Sequence, residues 1–295
     1  MPEPEIHVDG AESAIRFKDW SSLTSGLMRD TGDGGWIWRG QQVAAWGLES
    51  SLERAFRIGK VPGEKRSERE QQALSYFRAH AASYLEWQPA DNDYIDWLVT
   101  MQHYGAPTRL LDWTESPFVA AYFAYRDMPH DETQSAALWL YDARIAMNSL
   151  QKTEAGDGLD FPKPRDVPAA DCSPRDSWMD EINILVRQHV ASKSSVPLPV
   201  VPLRPDARMT AQQTILTVDA RLDGGMPYPF RTVAGLPVLF KIELPAEWRR
   251  GVLRELALMG ITDAGLFPGV AGVAQHSARM VRDGFRHVRN EVEGH

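Results

Sequence analysis

Apolar residues recur at helical spacing over Phe17–Met28, where Phe17, Trp20, Leu23 and Leu27 share one face. The same period predicts helices over Glu49–Phe56, Glu64–Trp87, Asp93–Tyr104, Phe118–Arg126, Glu247–Met259 and Gly269–Phe285. Ser116-Pro117 is a start signal for the fourth of these, a hydroxyl cap followed by proline in the first turn. Gly105 stands where a left-handed helix stop is expected, and Pro107 prevents resumption. Shorter β-branched or aromatic runs predict strands at Trp36–Gly40, Ala136–Tyr141, Thr214–Val218 and Leu236–Leu244. Four prolines make Pro197–Pro205 an extended connector or edge segment. Gln151–Asp176 is rich in Pro, Asp and Gly and reads as a loop insert around 151–180. The first ten residues read as a flexible end. With no repeat and no clean linker, the pattern predicts one α+β domain over 11–295, a small mixed sheet flanked by helices.

Between the helices ending at Tyr104 and starting at Phe118 lies Gln102-His103-Tyr104-Gly105-Ala106-Pro107-Thr108-Arg109-Leu110-Leu111-Asp112-Trp113-Thr114-Glu115-Ser116-Pro117. It brings most chemically competent residue types into one polar, turn-rich segment, read here as a loop over Thr108–Pro117. Loops tied between apolar elements are common places for sites. His103 is either a satisfied helix-end residue or a base. Arg109 and Asp112, three apart, either form an ion pair that holds the loop or, for Arg109, face a phosphate. Ser116 caps a helix whose free N–H groups also form an anion site; Thr114 is the alternative hydroxyl. Tyr104 stacks on a ring or packs in the core.

Composition narrows the function classes. At 43% hydrophobic and 24% charged over 295 residues the chain is an ordinary globular protein. Its formal net charge of −8 argues against non-specific duplex binding. A single cysteine, Cys172, excludes an internal disulfide and a Cys-rich zinc site, in keeping with a cytoplasmic setting. The acidic, polar start is not that of a signal peptide, and no apolar run approaches the ~20 residues that span a bilayer. His189, His276 and His287 show no metal-ligand spacing, so no metal is expected. Thr31–Gly35 lacks the Lys and spacing of a phosphate loop, and no serine nucleophile elbow is present. Ten tryptophans, several beside Gly, Asp or Arg, suggest a rigid aromatic core or surfaces on which bases stack.

Trp38-Arg39-Gly40-Gln41 at a strand end, the His103–Ala124 block, Arg208–Gln213 and Gly265–Gly269 occur in an order that resembles the FRG domain, a family named for a Phe-Arg-Gly motif. Trp38 replaces the Phe. More distantly, the order resembles an ADP-ribosyltransferase fold of the Arg–Ser–Glu type. That resemblance implies NAD as substrate, gripped by Arg39 with Gly40 beside it. Thr114 and Ser116 would support the nicotinamide-side ribose, Tyr104 would stack on the ring, and Arg109 would add a phosphate contact. The third motif position is Gln213, preceded by Gln212, where such enzymes use a Glu. Either the reaction differs, or Asp112, Glu115 or Glu181 supplies the missing carboxylate, or the domain binds without catalysing.

The function expected on these grounds is NAD-dependent ADP-ribosyl transfer or NAD hydrolysis in a bacterial toxin or antiphage defence factor. Gln213, His103 and Asp112 are its catalytic candidates, and its acceptor is a protein or nucleic acid. The alternatives are a non-catalytic nucleotide- or phosphate-binding sensor and a nuclease or phosphodiesterase-like enzyme that uses His103 and Asp112.

Overall fold

The computed structural model describes residues 5–9, 12–30, 35–128, 134–145, 197–200, 202, 204–219, 222 and 238–283. The predicted insert around 151–180, with Cys172, Glu181, His189 and His287, lies outside them. The eight strands are β1 (Glu5–Asp9), β2 (Glu12–Arg16), β3 (Trp36–Gln41), β4 (Leu110–Thr114), β5 (Ala136–Asp142), β6 (Leu198–Val200), β7 (Thr214–Val218) and β8 (Leu239–Leu244). They form one mixed sheet in the order β1-β2-β8-β5-β3-β4-β7-β6, antiparallel except where β2 runs parallel to β8. The helices are α1 (Trp20–Asp30), α2 (Ser51–Ile58), α3 (Gly63–Ala81), α4 (Tyr94–His103), α5 (Pro117–Arg126), α6 (Ala207–Ala211), α7 (Arg249–Leu258), α8 (Asp263–Leu266) and α9 (Val270–Asp283). The mixed α+β class read from the sequence is what the structure shows.

Alternation along the strands sorts the core into two layers. Ile37, Leu111, Trp113, Trp139 and Tyr141 face a layer completed by Ile95, Leu98 and Met101 of α4. Trp38, Leu138, Leu140, Ile242 and Leu244 face the opposite layer, closed by α5, α7 and α1 through Ala120, Ala124, Leu256 and Leu23. Every residue of β5 is buried, as expected for a central strand covered on both faces.

Two expectations change. The first ten residues are not a free end: Glu5–Asp9 pairs antiparallel with Glu12–Arg16 at the sheet edge. The stretch Thr108–Pro117 is not all loop either. Leu110–Thr114 is strand β4, paired with β7 over all five residues. Its four buried residues outweigh the single exposed Asp112, and the flanking polar residues had masked that short run. Elsewhere the local signals hold. Gly105 adopts φ +85° after α4, and the Ser116 hydroxyl accepts the Val119 N–H at 3.3 Å with Pro117 in the first turn of α5. α3 stops at Ala81, short of the predicted Trp87.

Candidate functional site

The sheet is incompletely zipped at its centre. The only β3–β4 ladder pair is Trp38 with Thr114. The next partners in that register, Gly40 and Asp112, are not paired. Instead the Arg39 side chain crosses the gap, and its Nη1 donates to the Asp112 carbonyl oxygen at 2.6 Å. A cleft of about 500 Å³ opens at this split. Its walls include Arg39 to Gln42 of β3 and the following loop, Asp112 to Thr114 of β4, Gln102 and His103 of α4, and Arg208, Met209 and Gln212 of α6 and its end. Phe123 and Arg126 of α5, Asp127, Asp206, Phe267, and the loop-to-α2 residues Trp46, Glu49 and Arg54 add to it.

Arg39 is the most unusual group in the cleft. Burial pushes its pKa below the ordinary arginine value; the Asp112 charge opposes that shift and the Arg54 charge adds to it. Its Nε is buried with no hydrogen-bond partner among the described residues. A buried donor left unmade carries a desolvation cost of about 1–3 kcal/mol. The carboxylate of Asp112 does not pair with Arg39. It is exposed, and its Oδ1 accepts from Gln102 Nε2 at 2.8 Å. The Gln102 Oε1 in turn accepts the Thr108 hydroxyl.

His103, at the end of α4, lies with Nδ1 2.6 Å from Asp206 Oδ2. The other Asp206 oxygen caps α6 by accepting the Met209 N–H at 2.7 Å. One carboxylate therefore ties α6 to the His103 ring and leaves Nε2 as the nitrogen not held by it. Phe267 carries the Arg126 and Arg208 guanidinia at 4.5 and 4.9 Å from its ring centre.

Several predicted site residues stand elsewhere. Arg109 leaves the cleft altogether. It is 2% exposed and pairs with Glu70 of α3, Nε to Oε1 at 2.7 Å and Nη2 to Oε2, which rules out both the loop-holding pair with Asp112 and a phosphate contact in the cleft. Next to the start of β4 its side chain points into the core, where only a carboxylate makes its burial tolerable. Tyr104 is 63% exposed, set edge-on to His103 at 4.9 Å, and is not part of the cleft wall. Gly40 lines the cleft, yet its missing side chain serves packing: a Cβ there would lie 1.9 Å from the Ala120 carbonyl oxygen of α5. Ser116 is the α5 cap and lies outside the lining. Thr114 lines the cleft but spends its hydroxyl on the Gln212 carbonyl at 2.7 Å. Gln213 is exposed and away from the lining, at φ +49°, its carbonyl accepting the Glu115 N–H at 3.0 Å. Gln212 is the amide that reaches the cleft, with Nε2 on the Leu266 carbonyl at 3.0 Å. Arg39, His103 and Asp112 are thus brought together on one cleft, while Arg109, Tyr104, Ser116 and Gln213 are not.

Asp206 and Arg54 are not singled out by the sequence, while Trp46 enters there only as one of several tryptophans and Phe267 only within the Gly265–Gly269 block. Asp206 alone had a signal, a helix-capping residue two positions before Arg208. Among the described residues no group of three or more His, Cys, Asp or Glu is placed to hold a metal ion. Likewise no described helix is long and apolar enough to cross a membrane.

These features define an α+β protein whose split sheet carries an arginine-bearing cleft. Residues 34–133 match the FRG domain. The match includes the Arg39-Gly40-Gln41 strand end and the His103–Ala124 block; the Arg208–Gln213 and Gly265–Gly269 blocks lie beyond it. No curated protein and no solved structure matches the chain.

Proposed function

We propose that the cleft binds NAD and that the chain either hydrolyses its nicotinamide–ribose bond or transfers ADP-ribose to a macromolecular acceptor. The observation that carries this reading is the Arg39 guanidinium, desolvated at the split with Nε buried and unpartnered. A planar guanidinium in the cleft wall suits a pyrophosphate, whose oxygens accept its N–H donors. In the reaction the C1′–N bond breaks, nicotinamide leaves with the electron pair, and positive charge develops on the ribose. The Asp112 carboxylate, exposed and held by Gln102, is the anionic group at the split that would oppose that charge. Water or an acceptor then bonds to C1′, and its proton passes to His103, whose ring is oriented by Asp206. In a bacterial cell such an activity suits a toxin or antiphage defence factor working in the cytoplasm.

The test is incubation with NAD labelled in the adenosine half, alone and with cell lysate, following nicotinamide release and label transfer. Release without transfer defines a hydrolase, and label on a macromolecule defines a transferase. Arg39→Ala is expected to abolish NAD binding while the chain stays folded, with a cooperative melting transition; retained binding would sink the assignment.

A second reading is a non-catalytic nucleotide sensor. It is favoured by one observation: Gln213, the position where the resemblance expects a glutamate, is exposed outside the cleft, and the amide of its neighbour Gln212, which does reach the cleft, is already spent on Leu266. Tight NAD binding with no turnover in any lysate would select it.

A further inference from the structure

Nine tryptophans fall among the described residues, and Trp46 alone of them is exposed, at 52%. It stands on the wall of the same cleft as Arg39. An indole left in water in a cleft wall is out of place for packing, because aromatic side chains normally bury their faces.

The loop that presents Trp46 is braced from beneath. Gln41 Nε2 donates to the Gly47 carbonyl at 2.9 Å, and Trp139 Nε1 donates to Gln41 Oε1 at 2.6 Å. The Trp46 N–H bonds the Val43 carbonyl at 3.1 Å, and Ala44 N–H bonds the Ser135 carbonyl at 2.7 Å. Ala44 and Leu48 are buried on either side. Ser50 then closes the loop with a reciprocal capping pair to Glu53, at 3.2 and 3.1 Å. The backbone that presents the ring is therefore already structured, and little loop entropy remains to be lost when something stacks on it.

The other aromatic side chains of the cleft are taken. Trp38 and Trp113 are buried. Phe123 sits edge-to-face with Phe267 at 6.1 Å, and Phe267 lies under the two guanidinia of Arg126 and Arg208. Trp46 is the one open aromatic face on a wall that also carries Arg39 and Arg54. Apolar plane beside cation is the pattern that recognises a base joined to phosphate.

We infer that Trp46 is the stacking platform for a heteroaromatic base of the nucleotide whose phosphates Arg39 holds. The inference rests on the nucleotide reading above and adds to it the subsite that recognises the base.

Calorimetric titration of the full chain, its Trp46→Ala and its Trp46→Phe variants with ADP, nicotinamide mononucleotide and inorganic pyrophosphate tests it. Trp46→Ala is expected to weaken one mononucleotide by roughly ten- to hundredfold and to leave pyrophosphate binding unchanged. Trp46→Phe should restore most of the loss. The mononucleotide affected identifies whether adenine or nicotinamide stacks. Nucleotide binding that survives Trp46→Ala, or pyrophosphate binding lost with it, overturns the inference and leaves the anion site standing. A wild-type chain that binds none of the three removes the nucleotide reading itself, and the base subsite with it.

Discussion

Gly40 and Gln213 show how a motif residue's job depends on what its backbone touches. A methyl group on Gly40 would meet backbone atoms of Ala120 and Ala124 at 1.9 and 2.5 Å, and neither can swing aside as a side-chain tip would. Gly40→Ala is therefore expected to destabilise the fold by about 3 kcal/mol or more, at the upper end of overpacking costs. Denaturant unfolding measures this directly, and a loss under about 1 kcal/mol would return Gly40 to a ligand-contact role. Gln213 sits at φ +49° with an exposed side chain, a conformation that costs a non-glycine residue energy. Gln213→Gly is expected to leave turnover untouched and to stabilise by up to about 1 kcal/mol. A large fall in kcat for that variant would show that the glutamine acts after all. The Arg39, His103 and Asp112 set was legible in the sequence because polar residues that satisfy no evident local need stand out against apolar periodicity. Arg109 looked the same and was not, because its partner Glu70 lies 39 residues away on another element. Sequence spacing carries no information on such a pairing.

Two buried ion-pair assemblies fix the elements around the cleft. Arg109 at the head of β4 and Glu70 of α3 form a buried bidentate pair, with Arg109 Nη1 also on the Asp219 carbonyl at 3.3 Å. Removing one partner leaves an uncompensated charge, so Glu70→Ala is expected to cost about 3–5 kcal/mol. Replacing both, as Glu70→Leu with Arg109→Met, should recover most of that loss in a double-mutant unfolding cycle. Near-additive losses would mean that the two charges are held by other groups. On the opposite face Asp263 of α8 receives Arg279 of α9, Nε to Oδ2 at 2.6 Å, and lies 2.9 Å from Arg126 Nε of α5. Burial pushes the Asp263 carboxyl up. Hydrogen bonds from Arg279 and Tyr122, and the charges of Arg279 and Arg126, outweigh it and hold the pKa below the ordinary 3.8. A depressed folded pKa stabilises the fold above the unfolded value and loses that contribution as pH falls through 3.8 toward the folded one. Stability measured from pH ~5 downward should therefore fall less steeply in Asp263→Asn than in the wild type. Parallel curves would remove the pair from the acid transition. The helices could be read from period and caps, since those signals are local. β4 was hidden by its short length and polar neighbours, and β1 by a polar composition that pairing at a sheet edge tolerates.

At the scale of the whole molecule, the split between β3 and β4 divides one sheet into two parts joined there by a single ladder pair and one arginine. β1, β2, β8, β5 and β3 lie on one side, and β4, β7 and β6 on the other. The cleft takes its wall from both sides, so a ligand held by Arg39 of β3 and by groups on β4, α4 or α6 adds contacts across the weakest seam of the sheet. A ligand that binds only the folded state stabilises it by about 2.7 kcal/mol at a hundred times its Kd. For a chain of this size that corresponds to a rise in melting temperature of roughly 4 °C. NAD is expected to give such a rise in the wild type and none in Arg39→Ala. Hydrogen exchange should localise the added protection to the seam, in β3 and β4, because local opening there is what the bridge suppresses. The net charge of −8 sets the opposite expectation for long nucleic acids. Duplex DNA should produce no such shift at moderate salt, because binding it requires many cationic contacts on a surface that is acidic overall. Protection confined to peripheral helices with β3 and β4 unchanged would show that the ligand does not bridge the split. It would place the site outside the cleft, whatever its affinity.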